Sequence, residues 1–117
     1  MSEPLGDVLR IDVERRADHQ VVLHVAGDVD MVTAPQLERQ INASLAGAKV
    51  VVVNLLEVTF FGSPGLSVLV AVRGKADAAG CALRVVAAQS AVLRPVRITG
   101  LQNSLDLFAT LEEALPR

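Results

Sequence analysis

The segment that decides the fold joins an apolar strand to a helix, and it reads Phe60-Phe61-Gly62-Ser63-Pro64-Gly65-Leu66. It follows the run Val50-Val51-Val52-Val53, and continuous β-branched runs are typical of strands that are buried on both faces. Ser63 is a favoured N-cap residue and Pro64 suits the first helical position, so a helix is expected to begin there. One hydroxyl therefore lies at a helix N-terminus, where negative charge such as a phosphate is favoured.

The composition indicates a single α/β domain over residues 1–117 with an aliphatic core. A chain of 117 residues is long enough to bury one core. Hydrophobic residues make up 51% of it and aromatic residues only 3%, so Val, Leu, Ile and Ala must fill the interior. The net charge of −2 is spread without a basic stripe, and nucleic acid is therefore not an expected partner.

Targeting and cysteine content point to the cytoplasm. No stretch approaches the roughly 18 apolar residues of a membrane span, and the N-terminus lacks the regions of a signal peptide. The single cysteine, Cys81, cannot form an internal disulfide. We therefore expect a cytoplasmic protein without a membrane partner. Cys81 itself is either a small buried residue or a redox sensor.

The hydrophobic pattern predicts strands and helices in the order β-β-α-β-α-β-α-β-α. A polar cluster at 15–20 indicates a hairpin turn, and right-handed crossovers would then build a mixed β-sheet with helices packed on it. Phe60 and Phe61 are expected in a loop, one filling the core and the other exposed. The predicted strands cover residues 9–14, 21–26, 49–53, 83–87 and 105–108, and the predicted helices follow Thr33-Ala34-Pro35, cover 63–79 and 90–98, and carry Leu111 and Leu115.

Three segments together resemble the STAS domain, the fold of anti-sigma-factor antagonists and of the cytoplasmic tails of sulfate-type anion transporters. The stretch from Gly27 to Pro35 resembles the family's loop after its second strand, and 51–61 resembles the central strand with the loop beyond it. Residues 62–66 fall where antagonists commonly read Asp-Ser-Ser-Gly-Leu. The resemblance extends from about Leu9 to Leu115 and implies a STAS-type fold. Gly62, Pro64 and Asn54 depart from the family's usual Asp, Ser and Asp.

The resemblance implies partner switching by an anti-sigma-factor antagonist. The unphosphorylated protein would bind an anti-sigma factor and free a sigma factor. A serine kinase activity, often carried by the anti-sigma factor, would phosphorylate Ser63, and a serine phosphatase would reset the cycle. The chain would be a monomer or weak dimer with no catalytic residue, cofactor or metal. Its expected partner-binding residues are Asp30, Thr33, Phe60, Phe61, Gly62, Ser63, Pro64, Gly65 and Leu66.

Other interpretations of these residues stay open at this point. Ser63 is either a phosphorylation site or only a helix cap, and Ser67, one turn further along, is a second candidate site or an ordinary surface serine. Because Pro64 has no N–H, the amides of Gly65 and Leu66 would be the nearest donors to a phosphate. Asp30 would shape the interface or only a turn, with Thr33 as the N-cap of the next helix. Asp28 is expected to be a solvated turn residue. A STAS scaffold or sensor protein without a phosphorylation cycle is the alternative function.

Enzymatic functions fit the sequence poorly. A nucleophile elbow requires Gly two residues before the serine, where Phe61 stands, and the hydrolase order requires a His after it. His19 and His24 both precede Ser63 and have no nearby Cys cluster for a metal. A small serine hydrolase is therefore only a distant alternative, and we predict that the protein is not an enzyme.

Overall fold

The computed structural model describes residues 9–116, which form a five-stranded mixed sheet with helices on both faces. The strands lie in sequential order; the first pair is antiparallel and every other pair is parallel. This arrangement confirms the predicted element order and the mixed sheet. The elements are β1 Arg10–Arg16, β2 Gln20–Val29, α1 Ala34–Leu45, β3 Val50–Phe61, α2 Ser63–Ala78, β4 Ala82–Val86, α3 Ser90–Ile98, a 3₁₀ turn Leu101–Asn103, β5 Asp106–Phe108 and α4 Leu111–Ala114.

The core has two parts because side chains alternate across a strand. Val51 and Val53 of β3 belong to the larger cluster, which the apolar faces of α1, α2 and α3 cover. Val50 and Val52 belong to a smaller cluster that includes Ala114 of α4. The central strand is therefore buried on both faces, as its valine run predicted.

The strands β2 and β3 continue well beyond their predicted ends. Their pairing passes through two register shifts, between His24 and Ala26 and between Gly27 and Asp28. Such irregularities break the period-2 pattern that a sequence reading relies on. The prediction that Phe60 and Phe61 lie in a loop is therefore wrong, because they are the last two residues of β3.

The third helix keeps its predicted range despite an internal proline. Pro95 lies within α3, and the helix continues to Ile98. Pro95 cannot donate to the carbonyl of Ala91 one turn earlier. Ala91 is only half-buried. The last turn of the helix lies beside the end of β3.

Candidate functional site

The carboxyl ends of β2 and β3 meet where α2 begins. Val29 pairs with Phe61, and the amide of Gly62 donates to the carbonyl of Val29 at 2.9 Å. This bond places Asp30 beside the start of α2. The structure thus brings together the predicted partner-binding residues, and we call them the Ser63 corner: Asp30, Thr33, Phe60, Phe61, Gly62, Ser63, Pro64, Gly65 and Leu66.

Ser63 is not the N-cap that the sequence predicted. Gly62 is the N-cap, with Ser63 as the first helical residue and Pro64 as the second. The helix begins one residue early because the carbonyl of Gly62 accepts from the amides of Gly65 at 2.9 Å and Leu66 at 3.3 Å. Ser63 thus lies inside the helix and not at the capping position, and it is exposed.

The same geometry corrects the expected phosphate contacts. The amides of Gly65 and Leu66 were the predicted donors, but both are directed to the Gly62 carbonyl. Pro64 supplies no N–H. A phosphate on Ser63 would therefore gain its stabilisation chiefly from the helix dipole, which is worth roughly 0.3–1 kcal/mol per charge at an exposed helix end.

The two adjacent phenylalanines have opposite environments, as predicted. Phe61 is 3% exposed and belongs to the main core, whereas Phe60 is 53% exposed. The start of α2 packs directly on Phe61. A Cβ on Gly65 would lie 2.8 Å from two carbons of that ring and 2.9 Å from Val29 Cγ1. Only glycine permits this close approach.

Asp30 forms the turn that leads into α1. Its carboxylate accepts from the amides of Val32 at 2.9 Å and Thr33 at 3.0 Å. These hydrogen bonds, that from Thr33 first, hold the pKa of the Asp30 carboxyl below its usual value. The prediction that Asp30 forms a turn is therefore confirmed. A role of Asp30 in partner binding stays a prediction.

Thr33 is the N-cap of α1 by position but not by hydrogen bonding. Its hydroxyl donates to the carbonyl of Asp28 at 2.7 Å and accepts from the amide of Asp30 at 2.9 Å, and it makes no capping bond to the helix. The prediction for Asp28 is wrong as well. Asp28 lies within β2, where its carboxylate accepts from the Thr59 hydroxyl at 2.6 Å.

The sequence analysis did not predict three exposed apolar side chains that lie beside the Ser63 corner. Met31 and Val32, at the tip of the Asp30 turn, are 78% and 66% exposed, and Ile98 is 75% exposed. Two apolar residues within a turn are a signal that was available in the sequence. Ile98 lies two residues after the buried Val96, at the end of α3. Its exposure depends on how α3 packs against the rest of the fold.

His24 is held by hydrogen bonds to residues of the two neighbouring strands. His24 Nε2 lies 2.8 Å from Glu14 Oε1, and its Nδ1 lies 3.1 Å from Asn54 Nδ2. Hydrogen bonds from His24 and then from Arg16 lower the pKa of the Glu14 carboxyl. Among the hydrogen bonds of residues 9–116 there is no Ser–His pair of the kind that a serine hydrolase uses.

Cys81 and Ser67 are the remaining candidate residues from the sequence. Cys81 is buried, and this burial raises the pKa of its thiol, which opposes thiolate chemistry. Ser67 is exposed on α2. Within residues 9–116, no three His, Cys, Asp or Glu side chains are grouped to hold a metal ion. No helix of the same described part is both long and apolar enough to cross a membrane.

Comparison with known proteins identifies the family. The STAS domain profile matches residues 10–114. The chain belongs to the STAS domain family. This STAS chain is 37% identical over 102 residues to the anti-sigma-F factor antagonist RsfB of Mycobacterium tuberculosis, covering 85% of the chain and 83% of that protein.

Solved structures agree with the family assignment. An anti-sigma factor antagonist from Mycobacterium paratuberculosis has 38% sequence identity and a TM-score of 0.85, over 97% of this STAS chain and 95% of that one. The phosphorylated form of the Bacillus cell fate determinant SpoIIAA has the same fold, with a TM-score of 0.68, 18% identity, and coverage of 90% and 96%.

Proposed function

We propose that this STAS chain is an anti-sigma-factor antagonist and that it binds its anti-sigma factor through the Ser63 corner. The similarity to two mycobacterial antagonists supports the class of partner. The observation that carries the choice of surface is the exposed Phe60 ring beside the exposed Ser63. Aromatic residues, Phe among them, are enriched in protein interfaces. The role requires the chain to act in the cytoplasm, where transcription takes place.

We infer that phosphorylation of Ser63 releases the partner. A kinase can reach this hydroxyl, because Ser63 is exposed and does not occupy the capping position. The helix dipole would tolerate the added charge, so the fold should persist. Burying the same dianion against a partner without a matching cation would cost several kcal/mol. Because about 1.4 kcal/mol corresponds to tenfold in affinity, the complex would dissociate.

The cycle needs a kinase and a phosphatase. By the family resemblance, the anti-sigma factor itself is the expected serine kinase, and a separate serine phosphatase would restore binding. A scaffold or sensor role without phosphorylation is the second candidate. It is favoured by Pro64 and by the paired amides of Gly65 and Leu66, which leave a phosphate poorly held.

The two functions separate in a binding experiment. Wild type, Ser63→Ala and Ser63→Glu are titrated by calorimetry against purified anti-sigma factors from the organism that encodes the chain, with Ser67→Glu as a control on the same exposed helix face. We expect Ser63→Ala to bind like wild type and Ser63→Glu to bind about tenfold or more weakly. Ser67→Glu should retain most of the affinity.

Two results would contradict the proposal. If Ser63→Glu binds as tightly as wild type, the switch does not operate at this residue, and the scaffold function is preferred. If wild type binds none of the anti-sigma factors, the antagonist function itself is wrong. Thermal unfolding of each variant confirms that any lost affinity does not arise from a lost fold.

A further inference from the structure

A groove of about 440 Å³ lies next to the Ser63 corner, between the end of β3 and α3. Phe61 contributes to its floor, and Phe60, Pro95 and Ile98 form apolar walls. Phe60 and Ile98 are two of the most exposed large apolar residues among the described part of the chain. Both therefore offer apolar surface to whatever enters this groove.

The Phe60 ring packs closely over the backbone at Gly62. A Cβ on Gly62 would lie 3.1 Å from Phe60 Cε2 and 3.5 Å from Pro64 Cδ. The backbone at Gly62 has φ −90°, which any residue can adopt, so contact with the ring is the specific constraint there. Gly62 thus leaves room for the aromatic ring to lie against the backbone and line the groove.

The groove also carries one cation without a counter-charge. Arg94 is the only charged residue in its lining and is exposed. The ion pairs of residues 9–116 join Arg10 to Asp12, Glu14 to Arg16 and His24, and Arg73 to Asp77, so they leave Arg94 unpaired. Helix α3 has a second arginine, Arg97, and no acidic residue.

We propose that this groove receives a segment of the anti-sigma factor that inserts an apolar side chain between Phe60 and Ile98 and presents a carboxylate to Arg94. The inference rests on the proposed function and extends its interface from the Ser63 corner onto α3. Charge complementarity selects the occupant, since a guanidinium pairs with a carboxylate through two parallel hydrogen bonds. An aromatic residue and an arginine around one apolar pocket also match the composition of interface hot spots.

The chain offers a matched control for the charge. Arg94→Glu and Arg97→Glu make the same change on the same helix at exposed positions, but only Arg94 lines the groove. Affinities are measured by calorimetry with the anti-sigma factor that binds wild type most tightly. We expect Arg94→Glu to weaken binding by about tenfold or more and Arg97→Glu by no more than about threefold. Arg94→Lys should recover part of the lost affinity.

A second pair of variants tests the apolar wall. We expect Ile98→Ala to weaken binding by about fivefold or more, and Val13→Ala, at an exposed site on β1, to leave it unchanged. Thermal unfolding of every variant separates lost contacts from lost structure. Sedimentation of the chain alone tests a second copy as the occupant.

The outcomes distinguish this inference from the function on which it rests. If wild type binds no anti-sigma factor, the proposed function fails. If wild type binds but Arg94→Glu matches either wild type or Arg97→Glu, the antagonist function stands and the groove is not its docking site. If Arg94→Glu changes self-association and not partner affinity, the occupant is another copy of the chain, and the inference is wrong.

Discussion

The buried and exposed sides of the Ser63 corner differ in what they can contribute. On the buried side, Phe61 and Gly65 pack within contact distance of each other and of Val29. On the exposed side, Phe60 and Ser63 face solvent. Because side chains alternate along a strand, one step in sequence separates the two environments. Stability and partner binding are therefore expected to respond to different, adjacent residues.

Two alanine substitutions give the strongest test of this separation between a buried side and an exposed side. Phe61→Ala should lower the free energy of unfolding by about 3–5 kcal/mol, because it leaves a cavity under α2. Phe60→Ala should change it by no more than about 0.5 kcal/mol while weakening partner binding. Urea denaturation measures both. Equal losses of stability from the two substitutions would show that the division does not exist.

A methyl group added at Gly65 tests the close packing of the buried side. Gly65→Ala should destabilise the fold by about 1–3 kcal/mol, since the new carbon would overlap Phe61 and Val29. Gly74→Ala lies in the same helix, where the added carbon would meet no other side chain and no other segment within 4 Å, and it should instead stabilise the fold by up to about 1 kcal/mol. If both substitutions act alike, helix propensity and not packing decides the effect.

A smaller effect is expected from the turn that borders the exposed side. The pKa of Asp30 is lowered by hydrogen bonds from Thr33 and Val32, so the folded state favours its ionised form. The resulting stabilisation is complete above the ordinary pKa of 3.8 and is lost as the pH falls through the lower folded value. The Tm of wild type should exceed that of Asp30→Ala at neutral pH, and the gap should narrow under acid conditions.

The Asp30 comparison needs only thermal unfolding at several pH values. Other carboxyl groups titrate in both proteins, so the difference between the two Tm values is the informative quantity. A gap that stays constant from neutral to acid pH would contradict the role given to the ionised carboxylate.

Local sequence patterns predicted the order of strands and helices and the positions of the main buried residues. The valines at 50–53 predicted a strand buried on both faces, and both core clusters include them. Leu37, Ile41 and Leu45 recur at every fourth residue, the spacing of one helix face, and all three are buried in α1. These features depend on residues close together in sequence, so the sequence alone was sufficient.

Contacts between distant segments account for what the sequence reading missed. The N-cap of α2 is Gly62 and not the predicted Ser63. The amide of Gly62 donates to the carbonyl of Val29 on the neighbouring strand. The long ends of β2 and β3 depend on register shifts between them. The groove beside Phe60 exists only because α3 packs next to the end of β3, and no local pattern reports that distance.

The central claim is that a phosphate on Ser63 weakens partner binding without destabilising the fold. Chain carrying phosphoserine at position 63 and unmodified chain are compared for affinity toward the same anti-sigma factor and for thermal unfolding. The account predicts that phosphorylation weakens binding by about tenfold or more and leaves the Tm nearly unchanged. Undiminished affinity, or a loss of binding that accompanies a collapse of the Tm, would contradict it.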